Sequence, residues 1–180
     1  MVPSVHASGV TVFETLKAHC GKAFSGKIVR DTEQSETWSA AHLVLHVRDC
    51  SDTELRMPLH LSDNRSRILV LTKLNSGKMR FKHDHRHEDG SSDPVTMYGG
   101  DSLELNAPAQ TFPVDEESVA LFLANGLEAS VQNVWHLQVG EGVLRYRLTR
   151  PSGRDFMMEF DLSTPVDVPP PAWDRKAGHN

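Results

Sequence analysis

Alternation of apolar and polar residues is the feature that most constrains the fold of this chain. In the segment HLVLHVRD, at 42–49, Leu43, Leu45 and Val47 fall on one face of an extended strand. A period of two residues is typical of a strand with one buried face. The same period or a β-rich composition recurs along the chain, at 53–61, 67–74, 78–88, 131–139, 143–150 and 154–162.

Short turns separate these segments, as in Gly140-Glu141-Gly142 and Pro151-Ser152-Gly153. Many short antiparallel strands with tight turns are typical of a barrel or a sandwich. We predict an all-β protein with a closed antiparallel β-barrel, because closure removes exposed strand edges. One or two short helices are expected, at about 10–20 and at 116–123 behind the helix cap Asp115. A single domain is predicted over 1–164, followed by a Pro-rich tail over 165–180 that cannot form a helix or a central strand.

Composition narrows the function classes. Acidic residues number 24 against 19 Lys and Arg, a net charge of -5, which is unlike a nucleic-acid-binding protein. No long apolar run is present, so no membrane span is predicted. The N-terminal residues lack the basic and apolar regions of a signal peptide, although a signal removed upstream of residue 1 stays open. Cys20 and Cys50 are interpreted as free thiols in a reducing compartment, which predicts a cytoplasmic protein.

The segment from Gly77 to Gly100, GKMRFKHDHRHEDGSSDPVTMYGG, holds the candidate chemistry. Every even position from 78 to 88 is charged, which is typical of a solvated face with cross-strand ion pairs. The odd positions begin with Met79 and Phe81 and continue with three histidines, His83, His85 and His87. On a regular strand these imidazoles would share the buried face of Met79 and Phe81, at the inside or the mouth of the barrel.

Two functional interpretations and one structural alternative follow from this segment. In the first, His83, His85 and Glu88 bind a divalent metal, although alternate residues lie roughly 6.6 Å apart, so one ion can hardly bind all three histidines. In the second, no cofactor is needed and the site performs acid–base chemistry. Its expected catalytic residues are His83, His85, His87, Asp84 and Tyr98, and its expected substrate-binding residues are Arg65, Arg67, Arg86, Trp135 and Phe81. In the alternative, HDHRHEDG is a polar hairpin end without a ligand.

Several segments resemble an uncharacterised bacterial protein family. They are DNRSR, KHDHRHEDGSSDPVTMYGG, FPVDEES, NVW and YRLTR…FMMEFDLS, and the resemblance extends over most of Phe13 to Leu162. This family has no known activity. The resemblance therefore implies only that the residues of the segment KHDHRHEDGSSDPVTMYGG belong together.

A more distant resemblance links the start of the chain to calycin barrels, the group of lipocalins, fatty-acid-binding proteins and nitrobindins. Gly21-Lys-Ala-Phe24-Ser-Gly26 after a short helix is similar to the Gly-x-Trp that opens the first calycin strand, with Phe24 in place of Trp. The resemblance implies an interior cavity for a small ligand and a basic residue, Arg145, Arg147 or Arg150, packed against Phe24. It does not imply a nitrobindin-like haem site, because the closing strands contain no histidine.

These observations predict an enzyme or a binding protein for a small polar or amphipathic molecule. An enzyme would catalyse isomerisation, cyclisation, elimination or hydrolysis. The alternatives are a passive lipocalin-like carrier of a small amphipathic ligand and a metal-dependent enzyme. The expected partner is a small molecule, with neither nucleic acid nor membrane, and the sequence leaves a homodimer open.

Overall fold

The alternating segments form one antiparallel sheet in the computed structural model, which describes residues 10–175. Its strands are β1 (Ala23–Asp31), β2 (Leu43–His46), β3 (Asp49–Cys50), β4 (Glu54–Leu61), β5 (Asn64–Lys73), β6 (Met79–His85), β7 (Tyr98–Asp101), β8 (Ala109–Pro113), β9 (Val134–Gly140), β10 (Val143–Thr149) and β11 (Asp155–Val166). The sheet order is β7-β6-β5-β4-β2-β1-β11-β10-β9-β8, and β3 pairs with β4 beside this path. This sheet curls into a nearly closed barrel, which confirms the predicted fold class.

Closure of the barrel depends on two adjacent glycines in β7. Leu103 N–H donates to the Thr111 carbonyl and Asp115 N–H donates to the Gly99 carbonyl, both at 2.9 Å, so backbone bonds join the two sheet edges. A Cβ atom on Gly100 would lie 1.8 Å from the Pro113 carbonyl oxygen, and one on Gly99 would lie equally close to that of Phe81. Only glycine therefore fits where β7 approaches β6 and β8.

Three α-helices accompany the barrel in the described residues: α1 (Val12–Lys17), α2 (Glu36–Ser39) and α3 (Glu116–Ala124), with a short 3₁₀ helix at Glu128–Ser130. The helices predicted at 10–20 and 116–123 are confirmed, whereas the single turn of α2 was not predicted. Asp115 caps α3 by accepting a hydrogen bond from Ser118 N–H at 2.9 Å. Helix α1 buries Val12, Phe13 and Leu16 in the barrel core.

The prediction of free cysteines is wrong. Cys20, which follows α1, and Cys50, in β3, form a disulfide with a Cα–Cα distance of 6.2 Å. This pairing could not be predicted from the sequence, because a separation of 30 residues along the chain does not determine the distance between two cysteines in the fold. Disulfides are typical of oxidising compartments, so the cysteines no longer support a reducing one. No helix within 10–175 has the length and hydropathy needed to cross a bilayer.

The tail, described from residue 165 to residue 175, differs from the prediction in two places. Pro165 and Val166 extend β11, a central strand, because Pro165 pairs in register with Phe24 of β1. The chain then reaches the outer face of β4 and β5, where Ala172 is buried against Ile68 and Val70 and Trp173 N–H donates to the Arg65 carbonyl. The prediction for residues 176–180 lies outside the described part of the chain.

Ion pairs fasten this tail to the barrel. Arg48 binds Asp174 through two hydrogen bonds of 2.8 and 2.6 Å, and both side chains are almost buried. Arg175 donates to Asp49 at 2.5 Å. The tail is therefore a packed part of the domain.

Candidate functional site

Strands β5 and β6 place the candidate site on the inner wall of the barrel. In their register Arg67 lies opposite His85 and Leu69 lies opposite His83, and Tyr98 of β7 pairs with His83 on the other side. Because side chains alternate along a strand, these residues share the inner face with Phe81. His83 and His85 therefore point inward, as the parity of their positions predicts.

A cavity of about 260 Å³ lies beside these residues. Its walls are mainly apolar and aromatic, with Trp38, Leu69, Tyr98, Phe122, Trp135, Tyr146, Leu148, Phe156 and Met158 among the lining residues. The polar lining residues include Arg67, His83, His85, Asp93, Asn133, Arg150 and Arg154. A mostly apolar concavity with a few polar groups is typical of a small-molecule site.

His83 is held as a neutral imidazole. Its Nδ1 lies 3.1 Å from the Tyr98 carbonyl oxygen, which can only accept, so Nδ1 carries the proton. Its Nε2 then accepts from the Tyr146 hydroxyl at 2.9 Å. Burial, with the nearby positive charges of Arg67 and Lys82, lowers the pKa of His83 to about 3. Both ring nitrogens are occupied, so His83 has no free position for a proton or a metal.

His85 and Tyr98 form the second hydrogen-bonded pair of the wall. The His85 Nε2 atom lies 3.2 Å from the Tyr98 hydroxyl oxygen. Burial and the charge of Arg67 lower the pKa of His85 to about 4, and burial raises the pKa of Tyr98 to about 12. At neutral pH both side chains are therefore uncharged. Tyr98 also stacks on the His83 ring, with ring centroids 4.8 Å apart.

Two further aromatic residues expected at the site, Phe81 and Trp135, pack against the His83 ring. The centroid of the Phe81 ring lies 4.7 Å from that of His83, edge-on, and Trp135 lies 5.2 Å away. Trp135 lines the cavity, whereas Phe81 is buried below it. Of the expected residues, His83, His85, Tyr98, Arg67, Trp135 and Phe81 are brought together by the fold.

Asp84 and Arg86 do not join this group. Asp84 points outward, where it is buried and accepts from Arg56 at 2.6 Å and from Arg86 at 2.8 Å. These arginines lower the pKa of the Asp84 carboxyl group despite its burial. The expectation that Asp84 is catalytic and Arg86 binds substrate is therefore corrected, because the strand period places them on the opposite side of the barrel wall from His83 and His85.

Arg65 is also outside the cavity, since its guanidinium donates to the Pro171 carbonyl of the tail at 3.0 Å. His87 and Glu88 follow the end of β6 and belong to a turn, in which His87 N–H donates to the Ser91 carbonyl at 2.8 Å. The His87 side chain is half exposed and lies 4.0 Å from Asp93. His87 is thus not part of the inner wall, because the regular strand stops two residues before it.

The expected metal ligands His83, His85 and Glu88 do not converge. Glu88 lines a groove next to the tail, whereas the two histidines line the cavity. Within residues 10–175 no three His, Cys, Asp or Glu side chains are arranged to hold a metal ion. The segment HDHRHEDG thus begins in β6, which ends at His85, and its second half lies in the turn that follows.

Tyr146, Trp38, Arg150 and Arg154 line the cavity but were not predicted as site residues. Tyr146 could have been placed on an inner face, because Leu144, Tyr146 and Leu148 alternate on β10. Its contact with His83 could not be predicted, because β10 and β6 are far apart in both sequence and sheet order. The expected contact of Arg145, Arg147 or Arg150 with Phe24 does not form, because these arginines bind Glu159, Asp155 and Asn133.

Comparisons with family models, curated proteins and solved structures find no significant match to this chain. The function of the site is therefore inferred from its own geometry.

Proposed function

We propose that the barrel binds a small amphipathic molecule in its interior cavity, and that binding rather than catalysis is its main activity. The observation that carries this proposal is the cavity of about 260 Å³ between aromatic and aliphatic walls. The cavity opens to solvent, so a small molecule can enter it, and its concave, mainly apolar wall is typical of small-molecule sites. The few polar groups can orient a ligand that is otherwise apolar.

The protonation states of the wall favour the same function. His83 and His85 stay neutral at pH 7 and remain so as the pH falls well below 7. Burial raises the pKa values of Tyr98 and Tyr146, so both hydroxyl groups stay protonated. His85, Tyr98 and Tyr146 can therefore offer hydrogen bonds without charge, whereas both ring nitrogens of His83 are already occupied. Such a surface suits a molecule with a large apolar body and one or two polar atoms.

An acid–base enzyme is the second candidate, and the contact of His85 with Tyr98 is the observation that favours it. A histidine bonded to a tyrosine at a cavity wall can transfer a proton to or from a bound molecule. A general base is most effective when its pKa lies near the working pH, and a pKa of about 4 makes His85 a weak one. Binding is therefore the better-supported activity.

The test of binding uses 2-naphthamide, a neutral, flat probe, in equilibrium dialysis. Leu148 lines the cavity, so Leu148→Trp would fill part of the space that the probe needs. We expect saturable binding to the unaltered protein and a loss of at least about tenfold in affinity in Leu148→Trp, or about 1.4 kcal/mol. The matched control is Val29→Trp, at an exposed position away from the cavity.

Absence of saturable binding of both 2-naphthamide and its charged analogue 2-naphthoate would contradict the proposal, as would equal affinities of the Leu148→Trp and Val29→Trp variants. Mass spectrometry separates the two candidates when a small molecule co-purifies with the protein. A binding protein returns this molecule unchanged after incubation, whereas an enzyme releases a product of different mass or structure.

A further inference from the structure

We infer that the ligand of this cavity carries a carboxylate and that Arg67 is its binding partner. The inference rests on the proposed binding function and specifies the chemical class of the ligand. It follows from the charges around the cavity, from the position of Arg67, and from the shape of the guanidinium group.

The arginines of the cavity differ in how their charge is compensated. Arg154 forms an ion pair with Asp31 and lies 3.6 Å from Glu33. Arg150 donates to Asn133 at 2.6 Å and lies 3.8 Å from the same Glu33. Arg67 forms no ion pair with any residue in the described range 10–175.

The hydrogen bonds of Arg67 are long and end on neutral oxygens. One terminal nitrogen donates to Asn64 at 3.2 Å and to the Ser66 hydroxyl at 3.3 Å. The guanidinium carbon lies 5.3 Å from the centre of the Trp38 ring, a cation–π contact. These contacts orient Arg67 but leave its charge without a counterion.

The only carboxylate among the lining residues within 10–175 is that of Asp93, and it is engaged elsewhere. One of its oxygens accepts from Val95 N–H at 2.7 Å, and the other lies 4.0 Å from His87. A half-buried cation without a counterion is costly, and burial accordingly lowers the pKa of Arg67. An anion on the ligand would offset this cost.

The geometry of the site favours a carboxylate on a flat apolar body. A guanidinium can direct two parallel N–H groups at the two oxygens of a carboxylate. The neighbouring walls are aromatic, with Trp38, Tyr98, Phe122 and Trp135 around the same space. An aromatic or short aliphatic carboxylate therefore matches both the charge and the shape of the cavity.

A bound carboxylate would also change His85. The positive charge of Arg67 is the second cause, after burial, of the lowered pKa of His85, and the two residues are direct cross-strand neighbours. An anion at Arg67 would oppose this effect and raise the pKa of His85. The pKa of His85, measured by NMR, thus reports whether the anion occupies this part of the cavity.

The test compares 2-naphthoate with 2-naphthamide, which share a ring system and differ mainly in charge, at pH 7.5. The unaltered protein should bind 2-naphthoate at least about tenfold more tightly, because charge-assisted hydrogen bonds are stronger than neutral ones. Arg67→Gln should weaken 2-naphthoate binding by about tenfold to a hundredfold and should weaken 2-naphthamide binding by a much smaller factor. Arg80→Gln is the matched control, because Arg80 is an exposed arginine paired with Asp101.

Equal binding of the two probes by the unaltered protein would overturn the inference while leaving the binding function in place. Equal losses for both probes in Arg67→Gln would overturn it as well. If neither probe binds, the proposed function itself fails. The comparison on the unaltered protein does not depend on any variant folding, and 2-naphthoate should in addition raise the pKa of His85, whereas 2-naphthamide should not.

Discussion

Mild acid should destabilise this protein through its buried neutral histidines. Burial lowers the pKa of His83 to about 3 and those of His60 and His85 to about 4, from an ordinary value of 6.5. Between these values the unfolded chain binds more protons than the folded protein. The free energy of unfolding therefore rises with pH in this window. The stabilising contribution of the neutral histidines is fully present above pH 6.5 and is lost as the pH falls towards their folded-state pKa values.

The size of the effect follows from the same shifts. Between pH 7.5 and 5.5 each of these histidines should cost about 1.4 kcal/mol of stability, or ~4 kcal/mol for the three together. Carboxylates contribute little to this change, because their basic partners lower the pKa of groups such as Asp31, Asp84, Asp115 and Asp155, which stay ionised above pH 5. A loss of ~4 kcal/mol is a large fraction of the 5–15 kcal/mol, roughly, that stabilises a typical domain.

Urea unfolding monitored by circular dichroism at pH 7.5, 6.5 and 5.5 measures this dependence. His85→Gln should reduce the difference between pH 7.5 and 5.5 by about 1.4 kcal/mol, because glutamine does not titrate. The exposed His42 provides the matched control, His42→Gln, which should leave the difference unchanged. A stability that is constant over this range, or identical pH dependence in the two variants, would refute the argument that these imidazoles are buried and neutral.

Three further changes test the fold that supports the site. Tyr146→Phe leaves the buried Nε2 of His83 without its donor, and should lower the free energy of unfolding by about 1–3 kcal/mol in urea titrations. Removal of the disulfide by the double change Cys20→Ser and Cys50→Ser should cost about 3–4 kcal/mol, as calorimetry can measure, and the native protein should have no titratable thiol. Gly100→Ala should prevent closure of the barrel edges and increase hydrogen exchange of β7 and β8 amides, and unchanged protection would contradict its assigned role.

The strand period made the direction of His83 and His85 predictable, because side-chain parity depends only on the strand being regular. The same argument misplaced His87, because β6 ends at His85 and the chain then turns. Asp84 was selected for its closeness in sequence to the histidines, although an even position places it on the opposite face. Parity therefore predicts well inside a strand and poorly beyond its last residue.

Other features depend on contacts between distant parts of the chain. The disulfide, the contact of Tyr146 with His83 and the docking of the tail against β4 and β5 all join residues that no local pattern connects. The lack of an ion-pair partner for Arg67 among residues 10–175 was similarly hidden, because a counterion can come from any strand. Such features require the assembled barrel, since they depend on strand order and not on periodicity.

The most direct test of a ligand site inside the barrel is a crystal structure of the protein with 6-bromo-2-naphthoate, in which anomalous scattering locates the bromine. We predict a single bromine site within the cavity, with the naphthalene ring near Trp135 and the carboxylate at the guanidinium of Arg67. A bromine found only on the outer surface, for example in the groove beside the tail, would contradict the account.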